Sequence, residues 1–320
     1  MKMHDEPTMI TGGAGFIGSH IAERLVSKNI DVIVLDNLSN GNKENLKSCM
    51  GKSSFKFVKD DLTDPKELFA NLKNIKTVYH IAAYPEVRTG FDNPGLSYQD
   101  NVYATYLLLE NIRKTNVEKI VFASSSVVYG EPSVIPTPET YGPLLPISPY
   151  GGSKLACEGL ISAYCYNYGI KGIIIRIANV VGSKSNHGII WDFINKLKTN
   201  NKELHVLGDG KQTKSYIYVN DCVDGFLFCA EKSNKIEVFN LGNDSKTDVE
   251  SIAQIVCKNM NLKNVKMLQG GGTADGRGWI GDVKEMQLDI TKLKSLGWSP
   301  KFTSAEAVEL ASKELINAVK

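Results

Sequence analysis

The 320-residue chain has no marked surplus of either charge: 37 lysines and arginines stand against 35 aspartates and glutamates, a formal +2. A dedicated nucleic-acid binder normally carries a clear basic excess, so the balance argues against that class and against nucleic acid as a partner. No apolar run reaches the ~18 residues that suggest a membrane span, so no membrane partner is expected. Cys-x-x-Cys pairs are missing. Cys49, Cys157, Cys165, Cys222, Cys229 and Cys257 are scattered along the chain, which argues against a metal site and fits reduced thiols in a cytosol. Met1 to Pro7 is polar and holds Asp5 and Glu6, unlike a secretory signal, so a cytoplasmic location is expected. Internal repeats, low-complexity tracts and long linkers are also lacking. What remains is an ordinary hydrophobic content of 42%, enough for one large domain or two coupled ones.

The first stretch with specific content is Gly12-Gly13-Ala14-Gly15-Phe16-Ile17-Gly18. It follows a first strand, Thr8–Thr11, that is shorter and less apolar than a buried parallel strand should be, and opens a helical run through Ile21, Leu25 and Val26. Gly13, Gly15 and Gly18 fit Gly-x-Gly-x-x-Gly, and Gly12, Gly15 and Gly18 fit Gly-x-x-Gly-x-x-Gly. Such glycines allow a tight turn and close approach of backbone to a pyrophosphate, which the helix N-terminus attracts. A second strand, Asp31–Asp36, ends in a carboxylate placed to bind the ribose hydroxyls of an adenosine. The polar loop Asn37 to Gly41, with Ser39 and Asn40, suits the adenosine end. A third strand, Phe55–Val58, leads to Asp60, Asp61 and Leu62. Asp61 and Leu62 are candidates to border the adenine, while Asp60 reads equally as a cap for the next helix. Strand four, Thr77–Ala83, ends in Ala82 and Ala83, small enough for a cofactor to pass, and His80 reads as a structural histidine within the sheet.

A long helix is expected over Tyr98 to Thr115, then a fifth strand, Lys119–Ala123, running into Ser124-Ser125-Ser126. Hydroxyls at the carboxyl end of a parallel strand lie where open α/β sheets bind ligands; a plain serine-rich turn would look the same. In Ser148-Pro149-Tyr150-Gly151-Gly152-Ser153-Lys154 the tyrosine and lysine are four apart, on one face of a helix. A free tyrosine, pKa roughly 10, is a poor base at neutral pH. A neighbouring ammonium favours the phenolate and is expected to lower that value, giving a group able to exchange a proton with a sugar hydroxyl. The spacing alone also fits an ordinary exposed pair. A sixth strand follows at Gly172–Arg176. The alternation of strand and helix predicts an α/β, doubly wound parallel (Rossmann) sheet over residues 1–180. Residues 181–320 read as a smaller, mainly substrate-binding C-terminal lobe, interleaved with the sheet. Helices are expected near Ile189–Lys198, Cys222–Glu231, Val249–Asn259 and Ala305–Val319. Strands are expected near Glu203–Val206, Ser215–Val219, Val238–Leu241 and Val265–Leu268. Lys214 and Arg277, the latter in the glycine-rich loop 270–278, are candidates for a diphosphate; a solvated cation is the alternative for Lys214.

Taken together these residues resemble the extended short-chain dehydrogenase/reductase family, in its nucleotide-sugar epimerase branch. The resemblance rests on Thr11–Gly18, Asp36, His80–Ala83, Asn101, Ser124–Gly130, Tyr150 with Lys154, Arg176–Asn179, Gly208–Ser215 and Leu296–Pro300. It implies bound NAD, with Gly12, Gly15, Phe16, Ile17, Gly18, Asn101 and Ser124 joining the cofactor residues named above, along with Tyr150 and Lys154. It further implies reversible oxidation at sugar carbon 4 of a nucleotide sugar. Tyr150 takes the hydroxyl proton, Ser125 bridges the oxygen and Lys154 tunes Tyr150. Ser126, Asn179, Gly188, Ile189, Lys214 and Arg277 are implied at the substrate. A homodimer is expected through the helices starting at Tyr98 and Tyr150, as relatives pair them. Two departures stand out: Lys214-Ser215 replaces the commoner Arg-Asp, and Arg277 lies further from Gly281-Asp282 than in the usual Arg-Pro-Gly-Asp. Met286 falls where related epimerases vary a residue that admits or excludes an N-acetyl group. The competing readings are a nucleotide-sugar 4,6-dehydratase and a non-catalytic, NAD-sensing protein on the same fold. Related dehydratases carry an Asp-Glu pair where this chain has Ser126 and Val127.

Overall fold

A computed structural model describes residues 6–87 and 91–318. The expectation for the first five residues and for Val319 therefore lies outside the described residues. By contacts the chain divides into two compact units, Met1–Val128 with Pro149–Arg176 and Val223–Phe239, and Tyr129–Ser148 with Ile177–Cys222 and Asn240–Lys320.

The first unit is built on alternating strands and helices. In chain order these are β1 (Thr8–Thr11), α1 (Phe16–Ser27), β2 (Val32–Asp36), β3 (Phe55–Lys59), α2 (Leu68–Leu72), β4 (Thr77–His80), α3 (Pro94–Ser97), α4 (Ala104–Ile112), β5 (Lys119–Ser125), α5 (Pro149–Tyr168) and β6 (Lys171–Ile177). β1 is short, but all four of its residues are buried, as a strand covered on both faces requires. The seven-stranded sheet has the order β11-β6-β5-β4-β1-β2-β3, with β11 at Glu237–Leu241. β1 pairs in parallel with β2 and with β4, β2 with β3 and β4 with β5. The order reverses between β1 and β4, the switch point at whose carboxyl ends such sheets bind ligands. Met9, Leu35, Val78, Phe122 and Ile174 from the strands pack with Leu72, Leu108, Ile112 and Ile161 from the helices.

Two expectations here are corrected. The Tyr98–Thr115 helix is not continuous: Tyr98–Tyr103 forms a π-helical turn between α3 and α4, and α4 stops at Ile112. β4 ends at His80, so Ala82 and Ala83 lie in the segment after the strand. Ile81 N–H still donates to Thr11 O of β1 at 3.1 Å, and the chain then turns to the Asn101 carboxamide, which accepts the Tyr84 N–H at 2.7 Å.

The remaining elements are β7 (Asn179–Val181), α6 (Ile189–Thr199), β8 (Glu203–Leu207), β9 (Thr213–Lys214), β10 (Tyr216–Tyr218), α7 (Val219–Lys232), β12 (Thr247–Asp248), α8 (Val249–Asn259), β13 (Lys266–Gly270), β14 (Glu285–Met286), α9 (Thr291–Ser295) and α10 (Ser304–Ala318). They form small pieces of sheet: β7 with β10, β8 with β13, and β12-β9-β14. The expected Ser215–Val219 strand is present as β10 and is one residue shorter at each end. Ser215 donates its N–H to Met286 O and its hydroxyl to Asn243 O, ending β9, and Val219 already begins α7.

Candidate active site

The turn after β1 is shaped by Gly12, whose φ of +68° few other residues adopt; a Cβ there would come within 2.6 Å of the Ala82 backbone. This close approach joins the ends of β1 and β4 at the switch point. α1 then begins at Phe16, and its N-cap, Gly15, offers no side-chain hydrogen bond. The first backbone N–H groups of the helix, including those of Phe16 and Ile17, are thus left uncapped by a side chain, as an anion site requires. Gly18 could not be larger, since a Cβ would lie 2.3 Å from Gly12 O.

Asp36 closes β2 and is buried. One carboxylate oxygen accepts the Ala14 N–H at 2.9 Å and the other the Leu38 N–H at 2.8 Å. Burial pushes its pKa up, opposed by those two bonds. Each oxygen keeps a further lone pair, so the pair of ribose hydroxyls can still be accepted. Gly41 lies against this carboxylate: a Cβ there would stand 2.8 Å from Asp36 Oδ1. Asn37 donates to Asp61 at 2.9 Å, and its own carbonyl accepts the Ser39 N–H. Ser39 and Asn40 are exposed beside it, and Leu62 is buried after Asp61. Desolvation acts on Asp61, but bonds from Asn37 and Thr63 outweigh it and hold the carboxyl below its usual value. Asp60 takes the capping part, accepting the N–H groups of Lys66 and Glu67 at 3.0 and 2.9 Å. These residues fit a dinucleotide: a glycine turn, an open helix N-terminus and a carboxylate with spare acceptors, all on one side of the switch point.

The π-helical turn brings Asn101 inward. Its carboxamide accepts from Tyr84 N–H and donates to Ser153 Oγ at 2.8 Å, tying the segment after β4 to α5. His80 is buried between Thr11 and Thr105, with ring nitrogens 2.7 and 2.9 Å from their hydroxyls. Desolvation, aided by the Lys154 charge, pulls its pKa down to about 3, so it stands neutral, as a structural histidine should.

Ser125 ends β5, and Tyr150 and Lys154 lie one turn apart on α5. Ser125 lies near enough to the Tyr150 side chain to pull its pKa down. Lys154 is buried and donates to Ala123 O at 2.9 Å, its ammonium 4.9 Å from the Phe122 ring centre and 5.7 Å from that of Tyr150. Desolvation pulls Lys154 down to about 8, against the pull of Cys157 and Glu158. The expected lowering of Tyr150 is overturned here. Desolvation pushes its pKa up, and Ser125 offsets this only in part. The low polarity around the phenol outweighs the tuning that the four-residue spacing predicts.

The sequence reasoning missed several partners. Ser124 Oγ donates to Glu158, which also holds Arg176 in a bidentate pair. Glu158 lies eight residues after Tyr150, on the same helical stripe, and that spacing was the available signal. Ser126 opens a 3₁₀ turn, Ser126–Tyr129.

In the second unit Asn179 begins β7, and its N–H and side-chain amide both donate to Ser215 O at 3.3 Å. Gly188, with φ of +89°, precedes Ile189 at the start of α6. Lys214 is paired with Asp282 at 2.5 Å and lies over the Trp279 ring at 5.6 Å. Arg277 is paired with Glu131 at 2.5 Å and Asp275 at 2.7 Å and donates to Asp282 O at 2.6 Å. Both candidate cations are thus engaged by carboxylates that composition and spacing did not reveal. Among the described residues no group of three or more histidine, cysteine or acidic side chains could hold a metal.

A doubly wound sheet with a glycine turn, a buried acid at the end of β2 and a Ser–Tyr–Lys group defines a dinucleotide-dependent enzyme of the short-chain dehydrogenase/reductase type. The sequence model of the NAD-dependent epimerase/dehydratase family matches residues 8–242, and the chain belongs to that family. A solved UDP-galactose 4-epimerase is 39% identical, with a TM-score of 0.86 over 98% of this chain and all of that one. The UDP-glucose 4-epimerase of Thermotoga maritima, solved with UDP-glucose, is 32% identical with the same TM-score over 98% of this chain and 100% of that chain. UDP-glucuronic acid decarboxylase 3 of Arabidopsis thaliana is 32% identical over 96% of this chain and 88% of its own length. Similar chains thus carry more than one reaction on UDP-sugars.

Proposed function

We propose that the chain is an NAD-dependent nucleotide-sugar 4-epimerase that interconverts UDP-glucose and UDP-galactose, or their N-acetyl forms, through a 4-keto sugar. The observation that carries this reading is the meeting of Ser125 and Tyr150 beside the buried Lys154 at the end of β5. Bound NAD supplies the acceptance and return of hydride at carbon 4 and, as a cation, favours the Tyr150 phenolate. The residues of Gly12–Gly18 hold its pyrophosphate, Asp36 its ribose, Asn37 to Gly41 with Asp61 and Leu62 its adenosine end, and Ala82, Ala83, Asn101, Ser124 and Lys154 its nicotinamide side. Tyr150 takes the 4-hydroxyl proton and later returns it, and Ser125 holds the same sugar oxygen so that the proton has one path. Lys154 keeps a positive charge against the phenolate. Ser126 and Asn179 orient the sugar, Gly188 and Ile189 border the nucleotide, and Lys214 and Arg277 exchange carboxylate partners for the diphosphate.

Elimination to a 4-keto-6-deoxy sugar needs a carboxylic acid after the hydroxyl residue. Ser126 and Val127 supply none, and a serine hydroxyl is far too weak an acid to replace one. The same intact proton-transfer group argues against a sensor. We place the protein in the cytoplasm as a homodimer through α4 and α5. Tyr106 and Tyr166 are exposed on those helices, and a Cβ added at Gly152 or Gly159 of α5 would meet nothing within 4 Å. Incubation with a panel of UDP-, dTDP- and GDP-sugars, followed by proton NMR, tests the reading. Interconversion at carbon 4 with no net NADH is expected; a 4-keto-6-deoxy product or loss of carbon dioxide from UDP-glucuronic acid would overturn it.

A further inference from the structure

Three consecutive residues at the end of β5 each meet α5, and the three partners on the helix are spaced four apart. Ala123 O accepts from Lys154 Nζ at 2.9 Å, Ser124 Oγ donates to Glu158 Oε1 at 2.5 Å, and Ser125 lies near enough to Tyr150 to act on its phenol. Tyr150, Lys154 and Glu158 therefore form one stripe, i, i+4 and i+8, laced to one strand end. The lacing is anchored from β6, where Arg176 donates from Nε to Glu158 Oε1 at 3.0 Å and from Nη2 to Oε2 at 2.7 Å. Ser124, Glu158 and Arg176 are 1%, 5% and 5% exposed, so water does not compete for the carboxylate.

We propose that Glu158, clamped by Arg176 and Ser124, is a positioning residue that fixes the register of the Tyr150–Lys154 stripe against Ser125 and holds the Lys154 ammonium. The inference rests on the reaction proposed above for its kinetic arm only. The charged and titratable groups around Lys154 are Glu158, Cys157 and Tyr150 from α5 and His80 from β4, with Arg176 of β6 reaching it through Glu158. Glu158 is the carboxylate among them, so its neutralisation makes the ammonium easier to deprotonate.

The test uses Glu158→Gln, which keeps the shape, and the pair Glu158→Gln with Arg176→Met, which leaves no unpaired buried charge. Nitrogen-15 lysine NMR, assigned with Lys154→Met, reads the Lys154 titration; steady-state assays read kcat and KM. In both variants Lys154 is expected to titrate at lower pH, with kcat lowered ~10-fold or more by misplacement of the reacting groups and KM nearly unchanged. The alkaline limb of the kcat profile should move down in pH with the titration. An unchanged Lys154 titration together with wild-type kcat in the folded pair variant would overturn the assignment. If the unaltered protein turns over no nucleotide sugar, the reaction proposed above fails, and the Lys154 titration alone decides the role of Glu158.

Discussion

Lys154 and Lys214 carry the same charge in opposite settings. Lys154 is 2% exposed and rests on a backbone carbonyl and two aromatic rings. Lys214 is closed by a carboxylate, Asp282, much as Arg277 is closed by Glu131 and Asp275. A buried ammonium whose direct contacts are neutral, with Glu158 opposing desolvation only from a distance, changes its protonation more readily than one in an ion pair. One facing a carboxylate can trade that partner for a phosphate of the same sign. The first arrangement suits proton chemistry and the second suits binding.

The contrast predicts different failures. Tyr150→Phe should cut turnover by ~100-fold or more while NAD binding persists, since only the proton carrier is lost; near-normal turnover would remove the chemistry from α5. Lys154→Ala should lower turnover and weaken NAD together. Lys214→Ala and Arg277→Ala should instead raise KM by ~10-fold each, the worth of one charge-assisted bond, with a smaller change in kcat. A kcat loss without a KM change would erase the division. In the unaltered enzyme Lys154 also sets opposite pH trends. With its pKa pulled down to about 8, turnover that needs the ammonium is full below pH 8 and falls as pH rises through it. In the unfolded chain a lysine holds its proton to ~10.4, so between those values the unfolded state binds more protons and native stability rises with pH. Denaturant midpoints and kcat measured from pH 7 to 10 should diverge in this way, and Lys154→Met should flatten the stability trend.

Smaller effects sharpen the picture at the cofactor end and in the sheet. Asp36 should give tighter binding of NAD than of NADP, because its carboxylate repels a 2′-phosphate; Asp36→Ser should narrow the ratio, as parallel titrations with both nucleotides would reveal. His80, held down at about 3, is neutral when folded but titrates near ~6.5 when unfolded. Its contribution to stability is present above ~6.5 and is lost as pH falls towards 3, with a slope of up to ~1.4 kcal/mol per pH unit. His80→Gln should have a shallower acid slope; an identical slope would mean that His80 is protonated in the folded protein.

The sheet was legible because its strands and glycine turn are local patterns. β2, β3 and β6 fall within about a residue or two of their expected positions, and Asp36 followed from its place at a strand end. Tyr150 and Lys154 were legible from spacing, but the direction of the Tyr150 shift was not, since desolvation depends on what surrounds the phenol. Glu131, far from Arg277 in sequence, could not be matched to it without the fold. Asp282 was named only as part of a spacing, and its pairing with Lys214 through the β9–β14 register is a tertiary fact. The π-helical turn escaped notice because Tyr98–Tyr103 has ordinary helical composition.

That turn has an implication for how the chain tolerates change. A π-helical turn is one residue longer than the α-helical turn it replaces, so it takes up one extra residue between α3 and α4 while leaving those helices nearly in phase. Deleting one residue from 98–103 would let a continuous α-helix form with α3 and α4 still nearly in phase, and would re-aim the side chains within the turn itself by up to ~100° about the axis. Asn101 could then no longer reach both Tyr84 and Ser153, although every other residue kept its identity. The extra residue is a local frame setting, and a chain that lost it would keep its motifs and its helix while losing the Asn101 carboxamide contacts that tie the segment after β4 to α5.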